Sequence, residues 1–262
     1  MKKSVILSFG VCCIFAAAGS GYGQELSGRD IALKVHNSNK STTGIVLKGQ
    51  MNLKNLKNGS SESRRVVALS VRNGGLSKSL FRFTDSSYSG TTFLTLERSG
   101  RDNLQYLYLR SVGSPRQVEG SDREDYFVDT DLSNEDLGGS RVDDYNYKRL
   151  PDKNIGGKDC YVLERYPKNS SSNFSKHIVI IDKATMLPLS VKSYGRTGRV
   201  VKTMRSGQFR KVGNGIYVPM YMKVVDLPRK HQTLFRVSSA VEKRINRGYF
   251  NRNRMSMRWA EQ

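Results

Sequence analysis

The side chains best suited to chemistry in this sequence are three histidines and the single cysteine outside the N-terminal apolar stretch. His36, His177 and His231 lie far apart in the chain, and none has a neighbour at metal-ligand spacing. Cys160 lies in the apolar run Asp-Cys-Tyr-Val-Leu with no histidine nearby, which favours a buried thiol over a nucleophile. The sequence therefore predicts no enzyme activity, no catalytic residue, no metal site and no cofactor.

An acidic segment, residues 122–144, contains the other groups that could act as acids, bases or ligands. Nine carboxylates lie there against two arginines. The stretch from Asp129 to Ser133 opens like a calcium-binding loop, but Asn134 replaces the required glycine and Ser140 the bidentate glutamate. No spacing selects an acid–base pair. Two interpretations stay open, namely a solvated acidic loop beside a basic surface, or two docking faces of opposite charge.

Aromatic and leucine side chains on the early strands indicate another kind of chemistry, the binding of an apolar ligand. Met204, Met220 and Met222 add flexible side chains that adapt to irregular ligands as well as to irregular cores. Ordinary core packing and a lipid-lined cavity inside a curved sheet both explain these residues. Because the strand register is not fixed by the sequence, the candidates come from both strand faces. The candidate lining residues are Phe81, Phe83, Phe93, Leu94, Leu96, Tyr106 and Tyr108.

Alternating apolar and polar residues predict that antiparallel strands carry these side chains. A helix comes first, because Ser27 and Asp30 have the spacing of a capping box and apolar positions continue to about Asn37. About twelve strands follow, joined by short turns with no long helical pattern between them, and a sheet of that size curls towards a barrel. The predicted strands cover residues 44–53, 64–71, 79–84, 91–97, 104–110, 145–150, 161–166, 177–181, 187–194, 200–206, 208–212, 216–225 and 232–241, with one helical turn at 133–137.

The N-terminus has the pattern of a bacterial secretory signal. Lys2 and Lys3 precede an apolar stretch of roughly 14 residues, short of the about 20 that a membrane-spanning helix needs. Small residues up to Gly23 suit cleavage before Gln24. We therefore expect residues 1–23 to be a signal peptide and residues 24–262 to form one periplasmic domain, soluble or peripheral at the membrane.

The chain is strongly basic, with a formal net charge of +21. Such an excess favours anionic partners such as membrane headgroups or polyanionic polymers, and export makes nucleic acid an unexpected partner. The C-terminal region concentrates arginine and lysine beside aromatic residues. The candidate basic docking residues are Lys243, Arg244, Arg247, Arg252, Arg254 and Arg258.

Short motifs in a fixed order resemble the outer-membrane lipoprotein-sorting protein family of the LolA/LolB-like superfamily, from about Ser27 to about Arg254. Each motif is short, and their order and spacing together make the likeness specific. They are Gly90-Thr-Thr-Phe-Leu with Asn103-Leu-Gln-Tyr-Leu-Tyr-Leu-Arg110, then Asp131-Leu-Ser-Asn-Glu-Asp-Leu137, then Gly157-Lys-Asp-Cys-Tyr-Val-Leu-Glu164 followed by Ile181, Leu187, Pro188, Tyr194, Gly198 and Lys202.

The resemblance implies a mainly β fold, a half-open curved antiparallel barrel with a short N-terminal helix and minor lid helices. It also implies a non-enzymatic periplasmic carrier that shields the acyl chains of a lipid or lipoprotein and works with an inner-membrane exporter. Arg110 departs from the proline that is frequent in the family, and the C-terminal tail is unusually basic. The alternative is a binding or scaffold module of the same fold that docks on anionic lipid, a polymer or a transporter.

Overall fold

The computed structural model describes residues 25–259 apart from residues 74, 86, 140 and 171, and apart from the side chain of Ser121. The expected signal peptide, residues 1–23, lies outside the described residues. The first described element is the helix α1 (Gly28–Asn37). Ser27 caps it through the predicted box, because its hydroxyl accepts from the Asp30 amide at 3.1 Å and its own amide donates to the Asp30 carboxylate at 3.1 Å.

Thirteen antiparallel strands make up one sheet in the order β6-β5-β4-β3-β2-β1-β13-β12-β11-β10-β9-β8-β7. The sheet is not closed, so the predicted half-open curved barrel is confirmed. The strands are β1 (Ile45–Asn55), β2 (Ser61–Asn73), β3 (Leu76–Phe83), β4 (Thr92–Leu96), β5 (Leu104–Tyr108), β6 (Pro115–Gln117), β7 (Tyr145–Ile155), β8 (Lys158–Pro167), β9 (Phe174–Asp182), β10 (Leu187–Gly195), β11 (Val200–Val212), β12 (Ile216–Asp226) and β13 (His231–Glu242).

Short helical turns complete the chain. The helix α2 (Asn134–Leu137) confirms the one predicted helical turn, and Ser133 caps it through a second capping box with Asp136. Single 3₁₀ turns lie at Gly120–Arg123, Val142–Asp144, Arg247–Tyr249 and Arg252–Arg254.

Two strand predictions differ from the structure. The predicted strands 200–206 and 208–212 are one strand, β11, in which Gln208 has a φ of 52° and no partner in the pairing with β12. This break in the ladder interrupts the alternation and makes one strand look like two. The short strand β6 was not predicted, because three residues are too few to show a period.

The connection between β6 and β7 is the feature of the topology that positions the candidate site. These strands are consecutive in the chain but form the two opposite edges of the sheet. Residues 118–144 must therefore cross from one edge to the other, and they do so over one face, which we call the inner face. Leu107 of β5 and Val224 of β12 belong to the same apolar cluster although five strands separate them in the sheet, which shows how strongly the inner face curves.

Each half of the inner face has its own cover. Ile31 and Ala32 of α1 pack with Leu163, Val179 and other residues of β8–β10. Over the first half of the sheet, Phe127 and Leu132 of the crossing segment pack with residues of β1–β5 and β12. The crossing segment and α1 thus close the two ends of one concave surface.

The opposite, outer face of the first half is covered by the C-terminal tail, residues 243–259. Ile245, Phe250, Met255 and Trp259 are buried there against strands β1–β5. The hydrophobic residues of the early strands therefore pack on both faces, one set under the crossing segment and the other under the tail.

Candidate functional site

The seven residues predicted to line a cavity divide between the two faces of the sheet. Phe81, Phe83 and Phe93 lie on the inner face, and Phe81 is directly opposite Phe93 on the neighbouring strand. The other four pack on the outer face with the tail, so they do not line an inner cavity. These outer residues are Leu94, Leu96, Tyr106 and Tyr108.

The three inner phenylalanines surround one side chain of the crossing segment. The ring of Phe127 lies 5.6 Å from each of the rings of Phe81, Phe83 and Phe93. Phe127 has no exposed surface. In this closed state the space between the inner phenylalanines is therefore filled by the protein itself.

The part of the crossing segment that covers the inner face, residues 118–139, is called the lid below. Asp131 of the lid is fully buried. Its carboxylate accepts hydrogen bonds from the Thr233 hydroxyl at 2.7 Å and from His231 Nδ1 at 2.8 Å, and Arg229 Nη1 lies 3.4 Å away. Because the threonine donates to the carboxylate and not to the imidazole, this group is an anchor and not an activated nucleophile.

A second anchor joins the lid to β2. Arg64 is 1% exposed and donates to the Val128 carbonyl at 2.5 Å. Its guanidinium also lies 3.8 Å from the centre of the Tyr88 ring, and the Tyr88 hydroxyl donates to Asp129 at 2.8 Å. Val128 and Asp129 have φ values of 46° and 60°, so the lid turns sharply where these two groups hold it.

A row of polar side chains crosses the inner face of the second half of the sheet. Each member is the direct cross-strand partner of the next, so their side chains point to the same face. Such a row is unexpected on a face that is otherwise apolar. We call it the polar row, and it consists of Arg165, His177, Ser193, Lys202, Asp226 and His231.

The lid rests on this row at three positions. Asp131 contacts His231, the Tyr126 hydroxyl donates to Asp226 at 2.5 Å, and Lys202 Nζ donates to Asp136 at 2.7 Å. The Lys202 side chain is 8% exposed and the Asp136 side chain 28% exposed. Burial opposes ionisation of Asp136, but the Lys202 ammonium and the hydrogen bonds from Ser133 outweigh it and hold the pKa of Asp136 below its usual value.

A cavity of about 180 Å³ lies between the lid and the polar row. Ligand pockets usually have volumes of roughly 300–1,000 Å³, so the closed state does not hold a long acyl chain. The lining has an apolar part, which we call the apolar wall, and a polar part that contains the first four residues of the polar row. The apolar wall consists of Leu132, Leu137, Val191, Met204, Met222 and Val224.

His177 is the most unusual group in this cavity. Nδ1 lies 2.9 Å from the Ser193 hydroxyl, while Nε2 is buried without a hydrogen-bond partner in the described structure. Burial, with a smaller contribution from Arg165, lowers the pKa of His177 to about 3. The imidazole is therefore neutral at physiological pH.

A polar cleft of about 480 Å³ adjoins the cavity and shares Glu135 and Tyr145 with it. Asp102, Arg123 and Lys168 line other parts of the cleft. Burial and the neighbouring Asp136 raise the pKa of Glu135. The cleft therefore lies beside the cavity at α2.

The acidic segment is thus a folded lid and not a solvated loop. Its carboxylates at Asp122, Asp131 and Asp136 pair with basic side chains of the sheet, which the sequence order does not reveal. By contrast, the six predicted basic docking residues are all exposed along the tail. Arg247 donates to Asn73 and to the Thr42 carbonyl, and Met257 is 53% exposed beside the tail arginines.

The remaining candidates from the sequence are Cys160 and the possible metal ligands. Cys160 is buried, and burial raises the pKa of its thiol. Among the residues that the structure describes, no three histidine, cysteine or carboxylate side chains form a group able to hold a metal ion. No helix in the described part of the chain is long and apolar enough to cross a membrane.

Comparison with known proteins places the chain in a family. A family model described as "Uncharacterized protein" matches residues 75–257, more than half of the chain, and this protein belongs to that family. No curated protein sequence matches the chain.

Three solved structures have the same fold. A domain assigned to the outer membrane lipoprotein-sorting proteins of Vibrio parahaemolyticus has a TM-score of 0.81 and 24% identity, covering 87% of this chain and 98% of that one. A DUF1329 family protein from Desulfovibrio piger has a TM-score of 0.79 and 25% identity, covering 87% and 97%. A LolA superfamily protein from Nitrosomonas europaea has a TM-score of 0.66 and 19% identity, covering 87% and 99%. The predicted resemblance to the LolA-like lipoprotein-sorting proteins is therefore confirmed, and the chain has their fold.

Proposed function

We propose that this protein is a non-enzymatic periplasmic carrier that shields acyl chains of a lipid or lipoprotein between the lid and the inner face. The observation that supports it most directly is the lid itself. A single segment joins the two edges of the open sheet, places Phe127 among three inner phenylalanines and leaves a cavity beneath α2. An acyl chain would take the place of Phe127 and extend into that cavity when the lid moves.

Burial of apolar groups favours the exchange of the Phe127 side chain for an acyl chain. Each buried CH₂ group contributes about 0.8 kcal/mol, so a long acyl chain offers on the order of ten kcal/mol before the costs of binding and of opening the lid are subtracted. Removing Phe127 from its site costs part of that gain. The fold thus suits reversible loading, in which the cargo replaces an internal apolar plug.

The proposed periplasmic location rests on the N-terminal segment, and the proposed docking on a membrane rests on the basic tail. The expected signal peptide would deliver residues 24–262 to the periplasm as one domain, where an inner-membrane exporter would load or receive the cargo. The exposed basic tail would dock on anionic headgroups.

Filling the cavity should prevent acyl binding. Met204 lines the cavity and packs against both inner clusters. We expect Met204→Trp to weaken binding of a dansyl-labelled fatty acid by at least about tenfold, because the larger ring occupies the volume that the chain needs. Fluorescence titration measures the affinity. Thr203→Trp, on the opposite face of the same strand, is the matched control and should bind like the wild type.

Two results would oppose the carrier proposal. One is a wild-type protein that binds no acyl probe and, in native mass spectrometry after isolation from the periplasm, holds no extractable lipid. The other is equal acyl affinity in the wild type and the Met204→Trp variant.

The basic tail should determine binding to anionic vesicles. Arg252, Arg254 and Arg258 are exposed, and a basic residue near an anionic surface contributes about 1 kcal/mol. Replacing all three by glutamine is expected to weaken binding to phosphatidylglycerol-containing vesicles by roughly a hundredfold. Vesicle co-sedimentation at low and high salt measures this. Neutralising Lys192, Arg205 and Arg210, also exposed, is the charge-matched control, and equal losses in both triple variants would contradict a specific role of the tail.

The alternative function is a binding module of the same fold without cargo. The tight packing of Phe127 in the closed state favours it, because the inner face is filled without any ligand. Salt-sensitive binding to polyanions with no dependence on acyl chains would support this alternative and oppose the carrier.

A further inference from the structure

We propose that the polar row contains a binding site for the anionic head of a single-chain amphiphile, and that Asp136 of the lid occupies this site in the closed state. The inference rests on the proposed carrier function and specifies its ligand. The class is an acyl chain that ends in a carboxylate or a phosphate monoester.

Without the carboxylates of α2, the residues of the polar row that line the cavity carry a net positive charge. Lys202 and Arg165 carry charges, and His177 between them is neutral. The neighbouring carboxylate of the row, Asp226, is already engaged by the Tyr126 hydroxyl and the Arg229 amide. The negative charges that face Lys202 and Arg165 from the lid belong to Asp136 and Glu135 of α2.

The contacts of α2 would allow the anionic head of a ligand to replace Asp136. One side of the helix is fixed to β5 and to the residue before it, because Gln105 Nε2 donates to the Asn134 carbonyl at 3.0 Å and Asn103 Nδ2 donates to the Gly138 carbonyl at 3.0 Å. On the other side, the ion pair of Asp136 with Lys202 joins α2 to β11 across the mouth of the cavity. Separation of this pair lets α2 move away from the second half of the sheet while its attachment to β5 stays intact.

The buried histidine supplies a second feature of an anion site. A Ser193 hydroxyl that donates to Nδ1 leaves the proton of the neutral imidazole on Nε2. Nε2 is buried without a hydrogen-bond partner among the described residues, and His177 lines the cavity, so Nε2 can donate to an incoming oxygen. An anion that replaces Asp136 thus gains a salt bridge to Lys202 and a hydrogen bond from His177.

The apolar wall fixes where the rest of the ligand lies. Met204, Met222 and Val224 continue from Lys202 towards Leu132 and the aromatic cluster around Phe127. A head bound at the row therefore directs its chain towards the position of the plug. An uncharged head lacks the interaction with Lys202, and a cationic head is repelled by Lys202 and Arg165.

The test compares three ligands of equal chain length, namely palmitate, 1-hexadecyl phosphate and 1-hexadecanol, by competition against the dansyl-labelled fatty acid. In the wild type, the two anions should bind roughly tenfold to a hundredfold more tightly than the alcohol, as expected for a charge-assisted hydrogen bond. Lys202→Met should abolish this preference, and circular dichroism verifies that the variant is folded. Lys202→Arg should retain the preference.

Asp136→Asn provides the opposite change. Loss of the competing carboxylate should strengthen binding of both anions several-fold without a comparable effect on the alcohol. Equal affinities for acid and alcohol in the wild type, or an unchanged preference in Lys202→Met, would overturn the head-group site and leave the carrier proposal standing. Failure of all three ligands to bind would overturn the carrier proposal itself. A preference for only one of the two anions would support the site and identify which head it takes.

Discussion

Replacement of Phe127 by alanine is expected to lower the free energy of unfolding by about 3–5 kcal/mol and to release the lid. The side chain is completely buried, and its ring contacts three phenylalanines of the inner face. Truncation leaves a large apolar cavity that the surrounding strands can close only in part. Because these contacts join the lid to the sheet, the lid should open more often even below the global unfolding transition.

Urea denaturation measures the stability, and hydrogen exchange of the lid amides measures its opening. Phe127→Leu should have a much smaller effect on both quantities. Phe250→Ala is the matched control, because Phe250 is similarly buried but lies under the tail on the outer face. That variant should lose stability without faster exchange in the lid. A loss below about 1 kcal/mol in Phe127→Ala would show that the aromatic cluster does not hold the lid.

Local patterns in the sequence were sufficient to predict most of the elements. The capping box at Ser27, the turn at 133–137 and nearly every strand depend on residues within a few positions of one another. The connection that spans the sheet could not be recognised in the same way. Its residues have partners such as Arg64, Arg229 and His231, which are about 60–100 positions away in the chain and adjacent only in the fold.

The candidate site was the least predictable feature for the same reason. Arg165, His177, Ser193 and Lys202 each appear once on a different strand, and only the register of three separate strand pairs aligns them. Lys202 was noticed as part of a motif, but its ion pair with the lid was not. The aromatic candidates could be recognised in the sequence, but the face of the sheet on which each lies could not. A shift of one residue in a strand moves a side chain to the other face.

The two faces of the sheet also explain the uneven charge of the chain. On the inner face, Lys202 and Arg229 pair with Asp136 and Asp131 of the lid, so part of that charge is compensated locally. The six exposed basic residues of the tail lie outside this face, and we propose them as the docking site for an anionic surface.

Attachment of the tail to the sheet depends on one buried arginine, and its loss should detach the tail. Arg82 is 2% exposed, and its guanidinium donates to the Thr92 hydroxyl at 2.8 Å, to the Met257 carbonyl at 2.6 Å and to the Met255 carbonyl. It also lies 4.1 Å from the centre of the Trp259 ring. Burial lowers the pKa of Arg82 to about 10, so the guanidinium is still charged at neutral pH.

Arg82→Ala is expected to cost about 3–5 kcal/mol, because it removes the stacking interaction and leaves buried oxygens of the tail without donors. Trp259 is the only tryptophan of the chain, so its fluorescence reports directly on the tail. In the variant, its emission should shift to longer wavelength at urea concentrations where circular dichroism still shows an intact sheet. Arg82→Lys keeps the charge but not the planar set of donors, and we expect an intermediate loss. Arg236→Ala, at an exposed arginine on β13, should change neither signal.

Coincident fluorescence and circular dichroism transitions in Arg82→Ala would mean that the tail and the sheet unfold as one unit. If the two transitions occur at different urea concentrations, the tail with its basic docking residues can detach from the sheet while the lid and the polar row stay in place.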